Sequence, residues 1–280
     1  MSFTAARKAV EKEGLAHTTS AASRVLAPRS IKKMEALTAM AASGLRSRTE
    51  TLDLLANNIA NTGTSGYKAD GESYDLYFGE DAWNGVNENR PANGEMPLVQ
   101  SNWVNFAQGT LVPTGNLSDL ALTSPGFFAV QSESGTLYTR GGHFRISKKG
   151  TLQTPEGYEL LATSGKPLQL DTTKPFTIST SGQVVQEDTP KGSLQIVDVD
   201  SADNLIKHGG TYFMLSSSGK VSPAANAEVV QGKVESSNVE ATQSAVKLVG
   251  VLTQFEMMQR AVRIAGDMGK QAVEQVAKVG

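Results

Sequence analysis

Cysteine is absent from the chain of 280 residues, so disulfides, thiolate nucleophiles and cysteine-based zinc sites are excluded. A chain without thiols also suits passage, unfolded, into an oxidising space. Long apolar runs are missing too, since none approaches the ~20 residues that a membrane-crossing helix requires. No integral membrane segment is expected. The net charge is only -2, and no basic cluster stands in the body of the chain, so a general phosphate-binding surface and a nucleic-acid partner are both unexpected. The segment Met1–Lys33 carries seven Lys and Arg against Glu11 and Glu13. It has no apolar core and so does not read as a cleaved secretory signal. It reads instead as a poorly ordered leader, with Met34 as the natural start of the structured chain.

Reactive chemistry is equally scarce. His17, His143 and His208 are far apart and lack metal-ligand spacing. Gly219-Lys220 ends like a phosphate-binding loop, but Met214 stands where the first glycine belongs and Val221 where a hydroxyl residue belongs. The run Asp198-Val-Asp-Ser-Ala-Asp203 opens like a calcium loop and fails at Ala202, Asp203 and Gly209. It reads as solvated acids in a turn. No Gly-x-Ser-x-Gly or Gly-x-Gly-x-x-Gly occurs. No catalytic residue, cofactor site or metal site is therefore assigned.

What the chain does contain is helix at each end and strand between. From Met34, the residues Leu37, Ala41, Leu45, Leu52, Leu55 and Ile59 share one helical face, and Leu45, Leu52 and Ile59 repeat as a heptad. Near the other end, Leu248, Leu252, Phe255, Met258, Val262 and Ala265 are spaced by three or four, with Asn238 as the expected cap. Between them lie short aromatic or β-branched runs, including Gly126–Gln131, Leu137–Arg140, Phe144–Ile146 and Leu194–Val197. Turns recur with one formula at Ser134-Gly135, Lys149-Gly150, Ser181-Gly182 and Ser218-Gly219, each followed by a polar and then an apolar residue. The expected fold class is α+β, with a central antiparallel β domain. The expected divisions are a leader at 1–33, a helix and turn at 34–69, an irregular connection at 70–102, a β domain at 103–234 and a helix at 235–280. A fragment from Trp103 to Gly232 is expected to fold alone.

One stretch is more specific. Leu55-Ala-Asn-Asn-Ile-Ala-Asn-Thr-Gly-Thr-Ser-Gly-Tyr-Lys68 places Asn57, Asn58 and Asn61 on a helix and then stops it with Gly63 and Gly66 before Tyr67 and Lys68. This resembles the signature of the bacterial flagellar axial proteins. Asp119–Val130, Tyr138–Phe144, Gly150–Thr154 and Gly157-Tyr158 are similar to that family's central β motif, and Ser237–Glu240 and Gln254–Met257 to its closing helix. Within the family, the short β domain and the Gln-Phe-Glu-Met tract resemble the rod members, the proximal type before the distal.

The resemblance implies a structural subunit without enzymatic activity. It implies export by the flagellar export apparatus without a cleaved signal, residence in the periplasmic rod of the basal body, and partners that are copies of itself and neighbouring rod proteins. The terminal helices would pair as a coiled-coil-like unit and polymerise into the tube that transmits torque. Its assembly interface would be Leu45, Leu52, Leu55, Asn57, Asn58, Ile59, Asn61, Leu248, Leu252, Phe255, Met258 and Val262. The amides of Asn57, Asn58 and Asn61 would fix register between subunits without a charged pair. A competing class is a carbohydrate-binding or hydrolytic β module with helical tethers, which needs two carboxylates roughly 5–10 Å apart in a cleft.

Overall fold

The computed structural model describes residues 41–77 and 96–279. The leader and the first turns expected from Met34 lie outside the described residues, as does the middle of the expected connection, 78–95. A first helix, α1, covers 41–60, and a second, α2, covers Ala241–Val279. The strands between them pair antiparallel wherever their register is defined, so the α+β class holds. Two compact units result. One comprises, among the described residues, 41–52, 73–77, 96–101 and 249–279; the other comprises 53–72 and 102–248.

In the second unit, a sheet of nine strands is centred on the strand Phe127–Ser132. That strand pairs with Gly135–Thr139, Glu159–Leu160 and Ile196–Val199. It is apolar on both sides because both faces are covered. Phe128 and Val130 enter one core with Leu120, Leu137, Phe144 and Val184. Phe127 and Ala129 enter another with Tyr138, Val197 and Phe213. Ring pairs at 5.5 Å, Phe128 with Phe144 and Phe106 with Phe127, meet nearly edge to face, the arrangement that aromatic quadrupoles favour.

All four recurrent turns open strands, Gly135–Thr139, Leu152–Gln153, Gln183–Gln186 and Val221–Pro223. Their formula is longer than the dipeptide, because a serine stands three residues before each glycine, at Ser132, Ser147, Ser179 and Ser216. The hydroxyls of Ser132, Ser147 and Ser216 accept the N–H two residues on, at 3.2–3.3 Å. That of Ser179 accepts the N–H of Gln183 at 3.1 Å. A side chain thus stands in for a backbone acceptor and closes the turn.

Two readings of the sequence are corrected. The span 70–102 is not irregular throughout, because Asp70–Tyr77 and Met96–Val104 are paired strands. Their acids, Gly71 and Pro97 obscured the pattern. Asn238 does not cap α2. Its side-chain oxygen accepts the N–H of Ala69 at 2.8 Å and its amide donates to the carbonyls of Asn105 and Ala107 at 2.7 and 2.9 Å.

Candidate functional site

The signature turn is built into the second unit. Gly66 has a φ of 72°, and a Cβ there would stand 2.2 Å from the backbone N of Gly141. Only glycine fits, on both counts. Its N–H donates to the carbonyl of Glu235 at 2.7 Å. Gly63 behaves differently from the sequence reading, for it is exposed, has no positive φ and faces open space. One glycine makes the turn.

The turn delivers Tyr67 and Lys68 into the interior, each 1% exposed. The Lys68 ammonium donates to Glu235 Oε1 at 2.5 Å and to the carbonyl of Ala107 at 2.8 Å. Glu235 is 0% exposed, and its other oxygen accepts from Arg140 Nη1 at 3.2 Å. The N–H of Gly109 completes the carboxylate's shell at 2.8 Å. Arg140 also donates to the carbonyl of Ser124 and stacks 5.5 Å from the Phe127 ring centroid. Two buried cations therefore share one carboxylate. Burial pushes the Lys68 ammonium below its ordinary value, with Glu235 opposing the shift. Arg140 shifts the same way for the same reasons.

The asparagine tract feeds this clamp from α1. Asn58 is buried, donating to the carbonyl of Asp70 at 2.8 Å and accepting that residue's N–H at 2.9 Å. It imitates a strand partner. The Tyr67 hydroxyl lies among acceptor oxygens of Asn57, Asn58 and Asp70 at 3.1–3.2 Å. Burial, then the neighbouring Asp70 charge, raises its pKa. The Lys207 ammonium sits 4.0 Å from the Tyr67 ring centroid and bonds Asp70 Oδ2 at 2.7 Å, a cation–π contact beside an ion pair. Asn61 donates to the Asn57 side chain at 2.8 Å. These amides have partners inside the chain, where the sequence reading sought them in a neighbouring subunit.

The helical positions divide differently. Along α1 the buried residues are Gly44, Ser47, Thr51 and Asn58, small or polar. Leu45, Leu52, Leu55 and Ile59 are half-buried. The apolar heptad thus lies about a quarter-turn from the side that is packed away. Within the first unit α1 and α2 approach closely, since a Cβ on Gly44 would stand 3.1 Å from Met258 Cε. Along α2 the half-buried positions are Ser244, Leu248, Val251, Phe255, Met258, Val262, Ala265 and Gly269. Steps of four and three alternate throughout, a heptad period. Val251 takes the place expected for Leu252, which is 42% exposed.

Of the remaining sequence candidates, His17 lies outside the described residues, and His143 and Asp200 have structural partners. His143 Nδ1 lies 3.2 Å from Asp119 Oδ1. Asp200 accepts from Asn204, Lys220 and Ser201, and these bonds hold its carboxyl below the usual range. A cleft of about 240 Å³ opens beside Phe106, Phe127, Arg140 and Leu205, with Asp198 as its carboxylate. Sequence reasoning missed Glu235, Arg140, Lys207 and Asp70, whose charges look solvated until the strands bring them to the turn.

The core around the central strand and the closing helix are also what known proteins share with this chain. The profile of the flagellar hook protein FlgE/F/G D1 domain matches residues 121–186, and that of the flagellar basal body rod FlgEFG protein C-terminal region matches 230–275. The flagellar basal-body rod protein FlgF of Caulobacter vibrioides is 30% identical over 236 residues, covering 81% of this chain and 92% of the relative. The chain belongs to the flagellar basal-body rod protein family. Another relative, FlgG of Agrobacterium fabrum, is 31% identical over 259 residues, covering 82% of this chain and 95% of its own length. FlgG of Bacillus subtilis is 27% identical over 257 residues with the same coverage. In this rod-family chain, the first profile spans the strands around Phe127 and the second runs from the strand before Glu235 into α2. Among the described residues, no helix is long and apolar enough to cross a membrane.

Proposed function

We infer that this chain is a structural subunit of the flagellar basal-body rod, of the proximal FlgF type, that polymerises through α1 and α2 with copies of itself and adjoining rod proteins. The flagellar export apparatus delivers it to the periplasm without a cleaved signal, and the assembled tube transmits torque. The observation that carries the assembly role is the state of α2. One side holds the half-buried heptad, while Val246, Val249, Met257, Ile264 and Met268 are exposed elsewhere on the same helix. A solitary subunit gains nothing from apolar side chains held in water, whereas contiguous exposed apolar surface suits protein contact. Leu45, Leu52, Leu55, Ile59, Leu248, Leu252, Phe255, Met258 and Val262 supply the apolar part of that interface, and Asn57 and Asn61 its polar edge.

The proximal type is supported by the short β domain and the Gln254–Met257 tract. Purified basal bodies test the reading. A tagged chain is expected in the rod fraction, at the cell-proximal end, and recovery only as free subunit from flagellated cells would contradict it.

A further inference from the structure

Methionine is the only oxidisable sulfur in this chain, because cysteine is absent. Four methionines have described surroundings. Met214 and Met258 are half-buried, whereas Met257 and Met268 are 58% and 63% exposed on α2. Their spacing is eleven residues, close to three full helical turns, so they project from the same side about 16 Å apart. Val246 lies another eleven residues earlier and Ile264 falls in the same arc. Both are exposed, at 69% and 54%. The heptad containing Phe255 and Met258 occupies the opposite side. Met258 Sδ would lie 3.4 Å from a Cβ on Gly44, so α1 covers it. Adjacent residues thus hold one sulfur in water and one under a helix.

We propose that Met257 and Met268 form a peroxide-sensitive pair whose oxidation switches off the outward apolar side of α2. The thioether sulfur attacks one oxygen of hydrogen peroxide. An S–O bond forms as the O–O bond breaks, sulfur loses two electrons, and the departing hydroxide takes the remaining proton as water. Each product sulfoxide places a strong dipole in an apolar stripe, which disrupts methionine-bearing contacts. Selectivity follows from exposure alone. The loss of self-association rests on the assembly reading given above.

The test treats the full chain with hydrogen peroxide, follows each methionine by peptide mass mapping, and measures self-association by sedimentation. Met257 and Met268 are expected to gain oxygen several-fold faster than Met258, and Met258 keeping pace with Met257 would overturn the proposal. Once both exposed sulfurs are converted, self-association is expected to fall. A Met257→Leu, Met268→Leu double variant, compared with itself before and after the same treatment, is expected to show no loss on oxidation, whatever its starting level of association. Full association of the doubly oxidised chain, or equal loss in the leucine variant, would refute the switch. If the untreated chain never self-associates, the assembly reading fails and takes the switch with it, while the mass mapping still decides which sulfurs are reactive.

Discussion

Glu235 pairs with two buried cations at once, so its removal has a larger effect than its single charge suggests. Glu235→Gln keeps the shape and leaves Lys68 and Arg140 facing a neutral amide. Breaking a buried pair in this way destabilises by about 3–5 kcal/mol. The expected outcome is a large fall in the melting temperature of the second unit, and an unchanged melt would show that the cluster is hydrated. The two signature glycines separate just as sharply. Gly66→Ala forces a Cβ into the backbone of Arg140 and Gly141 at positive φ, and should destabilise by several kcal/mol. Gly63→Ala meets nothing, and should be neutral or stabilising by ~0.4–1 kcal/mol through the unfolded chain. Equal melts for the two variants would contradict this division.

The pH dependence also belongs to individual residues. Tyr67, Tyr138 and Tyr212 all have pKa values raised above 10.0, chiefly by burial. A group whose folded pKa exceeds its unfolded value contributes stability that is intact below the unfolded value and is lost as pH rises through the folded one. Lys68, lowered from 10.5, acts in the opposite direction, because its desolvation is relieved as it loses its proton. Arg140, also lowered by burial, acts with Lys68, so three groups oppose two and stability should fall above about pH 10. Phenolate absorbance from these tyrosines is expected to appear together with the loss of circular dichroism. Their ionisation with the strands intact would refute the assignment.

At the scale of elements, the four glycine turns were legible because each is encoded locally, by a serine, a glycine and the residues that open the strand. The serine three residues before each glycine belongs to the same local code. The strands Asp70–Tyr77 and Met96–Val104 were not legible, since acids and Gly71 dilute the first and Pro97 with the polar run Gln100-Ser-Asn102 interrupts the second. The clamp was legible on one side only. Tyr67 and Lys68 stood out, but nothing local marks Glu235, 167 residues away from Lys68, as the carboxylate that meets them. This changes the minimal folding fragment. The boundary expected after residue 234 cuts the strand Lys233–Glu235 from its last residue. A fragment 103–232 also lacks that strand altogether and leaves Arg140 without Glu235. It should be far less stable than 53–248, which contains the whole clamp and is expected to melt cooperatively. Equal stability of the two fragments would show that the clamp contributes nothing to the β domain.

At the scale of the whole molecule, the stripe of Leu45, Leu52 and Ile59 on α1 is half-buried and is not the side most deeply packed. Gly44, Ser47 and Thr51 are, which leaves Leu45 and Leu52 half-buried. Small residues permit close helix approach, and in the proposed assembly the larger ones meet a neighbouring subunit. Central to the account is the claim that these stripes assemble subunits while the clamp holds the second unit together independently. Leu52→Asp and Phe255→Asp test it most directly, since each places a carboxylate in an apolar seam at a penalty of several kcal/mol. The decisive measurement is basal-body incorporation of each variant beside thermal unfolding of the purified subunit. Incorporation and motility are expected to be lost while the second unit melts as in the unmodified chain. Normal incorporation of both variants, or a collapse of the second unit's melt, would contradict it.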